Sequence, residues 1–321
     1  MKVIVTGGAG FIGSCIIRML NDMGVEEIIV VDNIGTSEKW LNLRNKKYSE
    51  YYKKDVFIDK LADLSEITHI IHMGACSSTT ENDFDYLYNN NYLYTKLLWN
   101  YCKEHNISFI YASSAATYGD GANGFDDKIM AKNLSPLNRY GYSKNIFDEW
   151  MQKQSEMPKQ AVGLKFFNVY GPNEYHKGDM ASMVYHGYNQ ILKTGRINLF
   201  KSYNPRYKDG GQLRDFVYIK DICKVIEFFI EHSEISGLYN VGTGKAGTFD
   251  SLAKGIFKAM DIDEKINYID MPSELKGRYQ YYTQADLGKL RGVGYSEKFY
   301  SLEEGIAEYV KDYLSNGYGV F

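Results

Sequence analysis

Several classes of protein are excluded by what this chain has little of. Of its 321 residues only four are cysteine, at Cys15, Cys76, Cys102 and Cys223. None form a Cys-x-x-Cys pair, and their spacing suits neither a zinc site nor a disulfide framework, so no metal is expected. The thiols read as reduced, as in the cytoplasm. Net charge is nearly absent, at -3, which removes the basic footprint of nucleic-acid or anionic-membrane binding. No apolar run approaches the roughly 20 residues of a membrane span. The opening Lys2-Val3-Ile4-Val5 runs straight into a strand-like segment without a signal-peptide layout, which predicts a cytoplasmic protein. Internal repeats and low-complexity tracts are missing too. With 44% hydrophobic and 24% charged residues, the chain has the composition of a soluble globular enzyme. Its length allows one large domain or two smaller ones.

What is there is an alternation. Val3–Thr6, Glu27–Asp32, His69–Gly74, Ser108–Ser113 and Gln160–Tyr170 read as strands. Between them, a helix ends near Met23, and others run over Asn90–His105 and Tyr140–Gln154. Strands alternating with helices predict an α/β fold, a Rossmann-type doubly wound parallel sheet covered on both faces. Past residue 170 the pattern loosens. Met180–Thr194, Leu252–Met260 and Leu302–Tyr313 read as helices, Ile197–Phe200, Asp215–Ile219 and Leu238–Val241 as strands, and Ser202–Gln212 as a loop. Residues 1–170 are expected to form the dinucleotide-binding domain, with later strands near 215–245 contributing to it. Residues 171–321 are expected to form a smaller, interleaved substrate domain.

Gly7-Gly8-Ala9-Gly10-Phe11-Ile12-Gly13 follows the first strand and opens a helix. Glycines at 7, 10 and 13 allow a tight turn, close approach to a pyrophosphate, and packing of helix on sheet. The helix N-terminus offers free N–H groups and partial positive charge to phosphates. Asp32, ending the second strand, is placed to hold a ribose hydroxyl, which favours NAD. Lys39 and Lys54 are placed to meet a 2′-phosphate, which favours NADP, or are solvated surface charges.

Tyr140 and Lys144 lie four apart on a predicted helix and share a face. A phenol of ordinary pKa about 10 is a poor base at neutral pH, and lowering it by about three units requires about 4 kcal/mol. Lys144 and a cationic nicotinamide ring are the expected sources. Among 29 tyrosines, Tyr92–Lys96 shows the same spacing. Context separates the two pairs. Tyr140 follows a strand ending in Ser113-Ser114, which makes Ser114 the group that orients a substrate hydroxyl. Tyr92 precedes that strand and reads as packing.

The glycine loop, Ser114, Tyr140 and Lys144 together resemble the extended short-chain dehydrogenase/reductases along the whole chain. Four blocks narrow the resemblance: Gly74–Glu81, Tyr111–Gly119, Phe167–Ser182 and Lys276–Gln280. These are similar to the ADP-glycero-manno-heptose 6-epimerase family, bacterial enzymes that supply the heptose of the lipopolysaccharide core. The resemblance implies a tightly bound NADP, with NAD the alternative. It would be contacted by Phe11, Ile12, Asp32, Asn33, Lys39, Lys54, Asn90, Lys144, Val169, Lys177 and the segment Met73-Gly74-Ala75-Cys76-Ser77. It implies a nucleotide sugar facing Asn168, Asp179, His186, Phe200, Arg214 and Tyr279, and a homo-oligomer, a pentamer. Two departures stand out: Asp179 occupies a position where the family usually has serine, and Lys201–Leu213 is longer than expected.

C6 of a heptose carries no acidic hydrogen, so inversion is expected to run through a ketone, with hydride removed and returned to the other face. The ketone end must turn over between the steps, so two acid/base groups are needed. Tyr140 is one. Lys177 is the candidate for the other, a role the resemblance supports; its alternative is a phosphate or ribose contact. Ala115 and Ala116 stand where related dehydratases carry an acidic pair, which argues against elimination of water. A UDP-hexose 4-epimerase is the runner-up, and an NADP-binding regulator the alternative from outside enzymology.

Overall fold

A computed structural model describes residues 1–273 and 279–321. Its centre is a seven-stranded sheet. The strands are β1 (Lys2–Thr6), β2 (Ile28–Val31), β3 (Glu50–Tyr52), β4 (Ile67–His72), β5 (Ser108–Ser114), β6 (Gln160–Phe166) and, after β7–β10 below, β11 (Gly237–Val241). Their order is β3-β2-β1-β4-β5-β6-β11, and every adjacent pair is parallel. Strands such as Ile28-Ile29-Val30-Val31, at most 1% exposed, must be covered on both faces, which requires helical crossovers.

On one face, α1 (Phe11–Asp22) and α7 (Ile219–Glu231) bring Cys15, Ile16, Leu20, Ile222 and Ile226 against Val3, Val5 and Ile110. On the other, α4 (Tyr94–Glu104) and α5 (Arg139–Met151) pack Leu98, Trp99 and Phe147 against Ile4, Ile70 and Phe109. Winding reverses at β1, which lies between β2 and β4. Crossovers leave opposite ways there, and a crevice opens at the carboxyl ends of the strands.

The predicted strand Gln160–Tyr170 divides in two. β6 ends at Phe166, and the Phe167 N–H donates to the Val241 carbonyl at 3.1 Å. Asn168 then donates to Asp215 at 3.0 Å, and β7 (Asn168–Tyr170) pairs in parallel with β10 (Phe216–Tyr218). This transfer carries the chain across the mouth of the crevice. Beyond it, β8 (Ile197–Phe200) pairs with β13 (Ile266–Ile269), and β9 (Leu213–Arg214) with β12 (Gly247–Thr248). α6 (Met183–Thr194), α8 (Phe249–Met260) and the helix Leu302–Glu308 complete this half.

The predicted helix Asn90–His105 is part of a longer one over 84–104, whose turn Tyr88–Leu93 is π-helical. Wide turns of this kind often mark functional sites, and this one presents the buried side chain of Asn91 to the crevice floor.

Candidate functional site

The crevice is a cleft of about 780 Å³ lined by the glycine loop, Asp32, Lys39, Met73–Ser78, Ser114, Tyr140, Lys144, Phe167–Tyr170, His176, Lys177 and Met180–Val184. A surface recess of about 860 Å³ around Trp40, Leu43 and Tyr48 has none of this lining, so size alone does not locate the site.

At the cofactor end, Gly7 has φ 65° and its α-carbon faces Gly74, where an added β-carbon would lie 2.7 Å from the Gly74 nitrogen. A β-carbon on Gly13 would sit 2.1 Å from the Gly7 carbonyl oxygen. Both positions therefore require glycine. Gly10 caps α1 without any side-chain hydrogen bond, so the first-turn N–H groups stay available to an anion. These features fit a dinucleotide. Asp32 accepts from the Ala9 N–H at 3.0 Å and the Asn33 N–H at 2.7 Å. Its Oδ1 also lies 2.5 Å from Lys39 Nζ, so its charge is already compensated.

At the chemical end, α5 is N-capped by Asn138, which accepts from Gly141 at 2.7 Å. The helix turns Tyr140 and Lys144 toward Ser114 at the end of β5. Lys144 Nζ donates to the Ala112 carbonyl at 3.0 Å. Burial lowers this ammonium to about 8, with Asp148 opposing the shift. Burial also raises the Tyr140 phenol above its usual range, and a hydrogen bond with Ser114 pulls it partly back. Of the two sources expected to prepare a phenolate, Lys144 and a cationic nicotinamide ring, the lysine does not by itself offset burial. In the protein without ligand, desolvation dominates and the phenol stays protonated.

Ser114 and Tyr140 owe their mutual placement to a buried network. Asp148, on α5, accepts from Tyr111 at 2.9 Å, Ser113 at 2.6 Å and Lys165 at 2.8 Å. Lys165 also donates to Thr117 at 2.8 Å. Both ions are nearly inaccessible, at 1% and 0% side-chain exposure. Lys165→Met would leave Asp148 buried without its counter-ion. The expected loss is about 3–5 kcal/mol of stability, measured by urea unfolding; a loss under 1 kcal/mol would refute the pairing. Asn91 supplies a second brace, with its Oδ1 accepting from the Cys76 N–H at 2.9 Å and its Nδ2 donating to Ser143 Oγ at 3.0 Å.

Lys177 reaches the cleft from the turn Tyr175–Met180 and rests 5.4 Å above the Phe11 ring. Burial lowers its ammonium, and Glu174 opposes the shift. His176 is lowered by burial to about 4, so its imidazole is neutral at neutral pH.

Other predicted residues gather at the edges. Phe11, Ile12, Asn168 and Val169 line the cleft. Asn33, Lys54 and Asn90 are not among its lining residues. Asn33 Oδ1 accepts from the Lys54 N–H at 3.0 Å, and Lys54 Nζ donates to Asn90 at 2.6 Å. Phe200, Arg214 and Tyr279 form a separate cluster. The Arg214 guanidinium lies 5.2 Å over the Tyr279 ring and 5.8 Å over Phe249, which reaches the cleft. Arg214 is 8% exposed and has no ion pair among the described residues, an arrangement that suits an anionic ligand. Its neighbour Asp215 is structural, accepting from Thr243, Gly244 and Ala285. His186 lies half-buried on α6 outside the lining, and Asp179 is exposed. Lys276, Gly277 and Arg278 lie outside the described residues. Asn91, Asp148, Lys165 and Glu174 were missed by sequence reasoning. No motif or spacing marked them, because their partners lie on other elements or at the far end of a loop.

The four cysteines are free. No helix among the described residues is long and apolar enough to cross a membrane, and no cluster among them is arranged to hold a metal.

A parallel sheet in this order, with a glycine loop at the first crossover and a Ser–Tyr–Lys set at the fifth strand, defines the nicotinamide-dependent short-chain dehydrogenase/reductase class. Residues 3–242 match the NAD dependent epimerase/dehydratase family, and the chain belongs to that family. It is 50% identical to an ADP-L-glycero-D-manno-heptose-6-epimerase of Fusobacterium nucleatum, covering 98% of each chain. It superimposes on the crystal structure of the Helicobacter pylori ADP-L-glycero-D-manno-heptose-6-epimerase with a TM-score of 0.79 at 28% identity, covering 97% of this chain and 95% of that one. A UDP-N-acetylglucosamine 4-epimerase from Methanobrevibacter ruminantium has TM-score 0.83 at 25% identity, covering 98% of both.

Proposed function

We infer that this chain epimerises ADP-D-glycero-D-manno-heptose at C6 to the L-glycero form. The observation that carries this reading is a cleft lined by both Tyr140 and Lys177, which enter it from different elements. The identity of 50% to a heptose epimerase over nearly the whole chain supports the substrate. Ala115 and Ala116, beside Ser114, offer no proton for elimination.

Bound in the cleft, a nicotinamide dinucleotide supplies the chemistry of accepting a hydride from C6 and giving it back. Gly7, Gly10, Gly13 and the open N-terminus of α1 would hold its pyrophosphate, and Met73–Ser77 and Val169 would flank it. Ser114 orients the C6 hydroxyl toward Tyr140, which handles its proton in one direction. Lys144 holds positive charge beneath the phenol. Once the ketone end has turned over, Lys177 handles the proton in the other. Arg214 and Tyr279, with Phe200, would receive the nucleotide diphosphate.

The test is conversion of the ADP-heptose set against UDP-hexoses under identical conditions. Turnover of UDP-hexoses alone would transfer the protein to the 4-epimerases. We assign NADP as the cofactor, because Lys39 already pairs with Asp32 and Lys54 is held against its neighbour Asn33. Replacing both lysines with alanine is expected to weaken NADP far more than NAD in a binding titration; equal losses would refute the assignment.

A further inference from the structure

The loop that delivers Lys177 leaves β7 at Gly171 and ends at Ser182, which caps α6. Its two ends are joined by one side chain. Glu174 is fully buried. Its Oε1 accepts from the Gly171 N–H at 3.3 Å and from Ser182 Oγ at 2.6 Å. Its Oε2 accepts from the Ser182 N–H at 2.6 Å. The backbone of the same residue receives the Lys177 N–H at 3.0 Å.

The outside of the loop is tied separately to the cofactor half. Asn173 Nδ2 donates to Ser14 Oγ at 2.9 Å, and its Oδ1 accepts from the Phe321 N–H at 2.9 Å. Asn42 Nδ2 donates to the Asn173 carbonyl at 3.1 Å and to the Ala9 carbonyl, in the glycine loop, at 3.0 Å.

A buried carboxylate is costly unless its lone pairs are met. Here they are met by the two ends of one loop rather than by a cation. No salt bridge joins Glu174 to a lysine or arginine among the described residues. The carboxylate therefore acts as a clasp: with it closed, the Lys177 turn has a fixed closure and a fixed distance from the glycine loop. Opening it would leave the Asn173 ties in place but free the Ser182 end.

We propose that Glu174 is a positioning residue for Lys177, holding the 171–182 loop closed so that the lysine ammonium stands in the cleft where the second proton transfer occurs. The inference rests on the proposed role of Lys177. Glutamine at 174 keeps the shape but sets an amide N–H₂ against one of its two donors at Ser182. A displacement near 1 Å lowers turnover on the order of 10²-fold, so Glu174→Gln is expected to reduce kcat by about that factor with little change in KM.

The pH profile separates positioning from general structural support. Glu174 faces Lys177 and the phenols of Tyr175, Tyr185 and Tyr309. Burial raises the Glu174 carboxyl, and its hydrogen bonds with Ser182 oppose that shift; as a carboxylate it raises the Lys177 ammonium. In Glu174→Gln the limb of the rate profile belonging to Lys177 should therefore move to lower pH. Ser182→Ala removes the hydroxyl's bond to Glu174 and the helix cap it offers Tyr185 but keeps the carboxylate, so kcat should fall several-fold with that limb unmoved. If Glu174→Gln does not fold, Ser182→Ala carries the test, and wild-type kinetics in it would overturn the clasp. Lys177→Met is the control. If it is inactive while Glu174→Gln has wild-type kcat and pH profile, the clasp is wrong. If Lys177→Met is fully active, the two-group reading of the site is wrong instead.

Discussion

Tyr140→Phe is expected to lower epimerase turnover by about 10²–10⁴-fold, the range for loss of a general acid–base group. The ring stays in place and only the proton-carrying oxygen is lost. Binding of the dinucleotide should persist, because the glycine loop and the start of α1 are untouched. Tyr92→Phe is the matched control. Tyr92 packs 5.0 Å from the Tyr88 ring and 6.4 Å from the Phe147 ring. Lys96, its partner in spacing, lies 4.8 Å over Trp150. Neither lines the cleft, so this change should leave turnover nearly unaltered. A larger loss from Tyr92→Phe than from Tyr140→Phe would reverse the assignment. Since burial raises the Tyr140 phenol, ligand binding has to supply the charge that brings it down. A phenol titration on the free protein should accordingly find Tyr140 protonated at neutral pH.

Lys177→Met should abolish epimerisation while Tyr140 still manages one half-reaction on a carbonyl analogue of the substrate. A companion measurement tests the route. When the reaction is run in heavy water, C6 of the product should retain protium, because a hydrogen moved as hydride never joins the exchangeable protons. Deprotonation at carbon would pass it through an exchangeable acid, and deuterium at C6 would overturn the route. Full activity in Lys177→Met would overturn the two-group mechanism, leaving the fold and the dinucleotide site as they are.

Local pattern already reveals much of this protein. The sheet strands were legible because Val3–Val5, Ile28–Val31 and Ile70–Ile71 are continuous apolar runs, which is what burial on both faces demands. Gly7, Gly10, Gly13 and Asp32 were legible because backbone approach and a strand-end carboxylate restrict residue type at fixed spacing. Tyr140 and Lys144 were legible because one helical turn separates them. The helix Ile219–Glu231 was not read, although its apolar periodicity is strong, because a strand was assigned up to Ile219 and the following residues were left without an element. Edge strand β3 was missed because it is three residues long, with Glu50 exposed and Tyr51 and Tyr52 only half-buried.

Other features depended on contacts between distant segments. Which tyrosine–lysine pair faces the cleft depends on the β4–β5–β6 pairing that places Ser114 beside α5. The division of Gln160–Tyr170 at Phe167 depends on Val241 and Asp215, more than 45 residues away in the chain. Asp148 and Lys165 are 17 residues apart on a helix and a strand, and neither position announces a buried charge. Glu174 reads in sequence as one more acid in a polar turn. Only when Gly171 and Ser182 are folded onto it does its carboxylate become the closure of the Lys177 loop. Spacing along the chain reports which faces residues share within one element. Desolvation and hydrogen-bond satisfaction belong to the assembled elements, and those set the charge and position of the groups in the cleft.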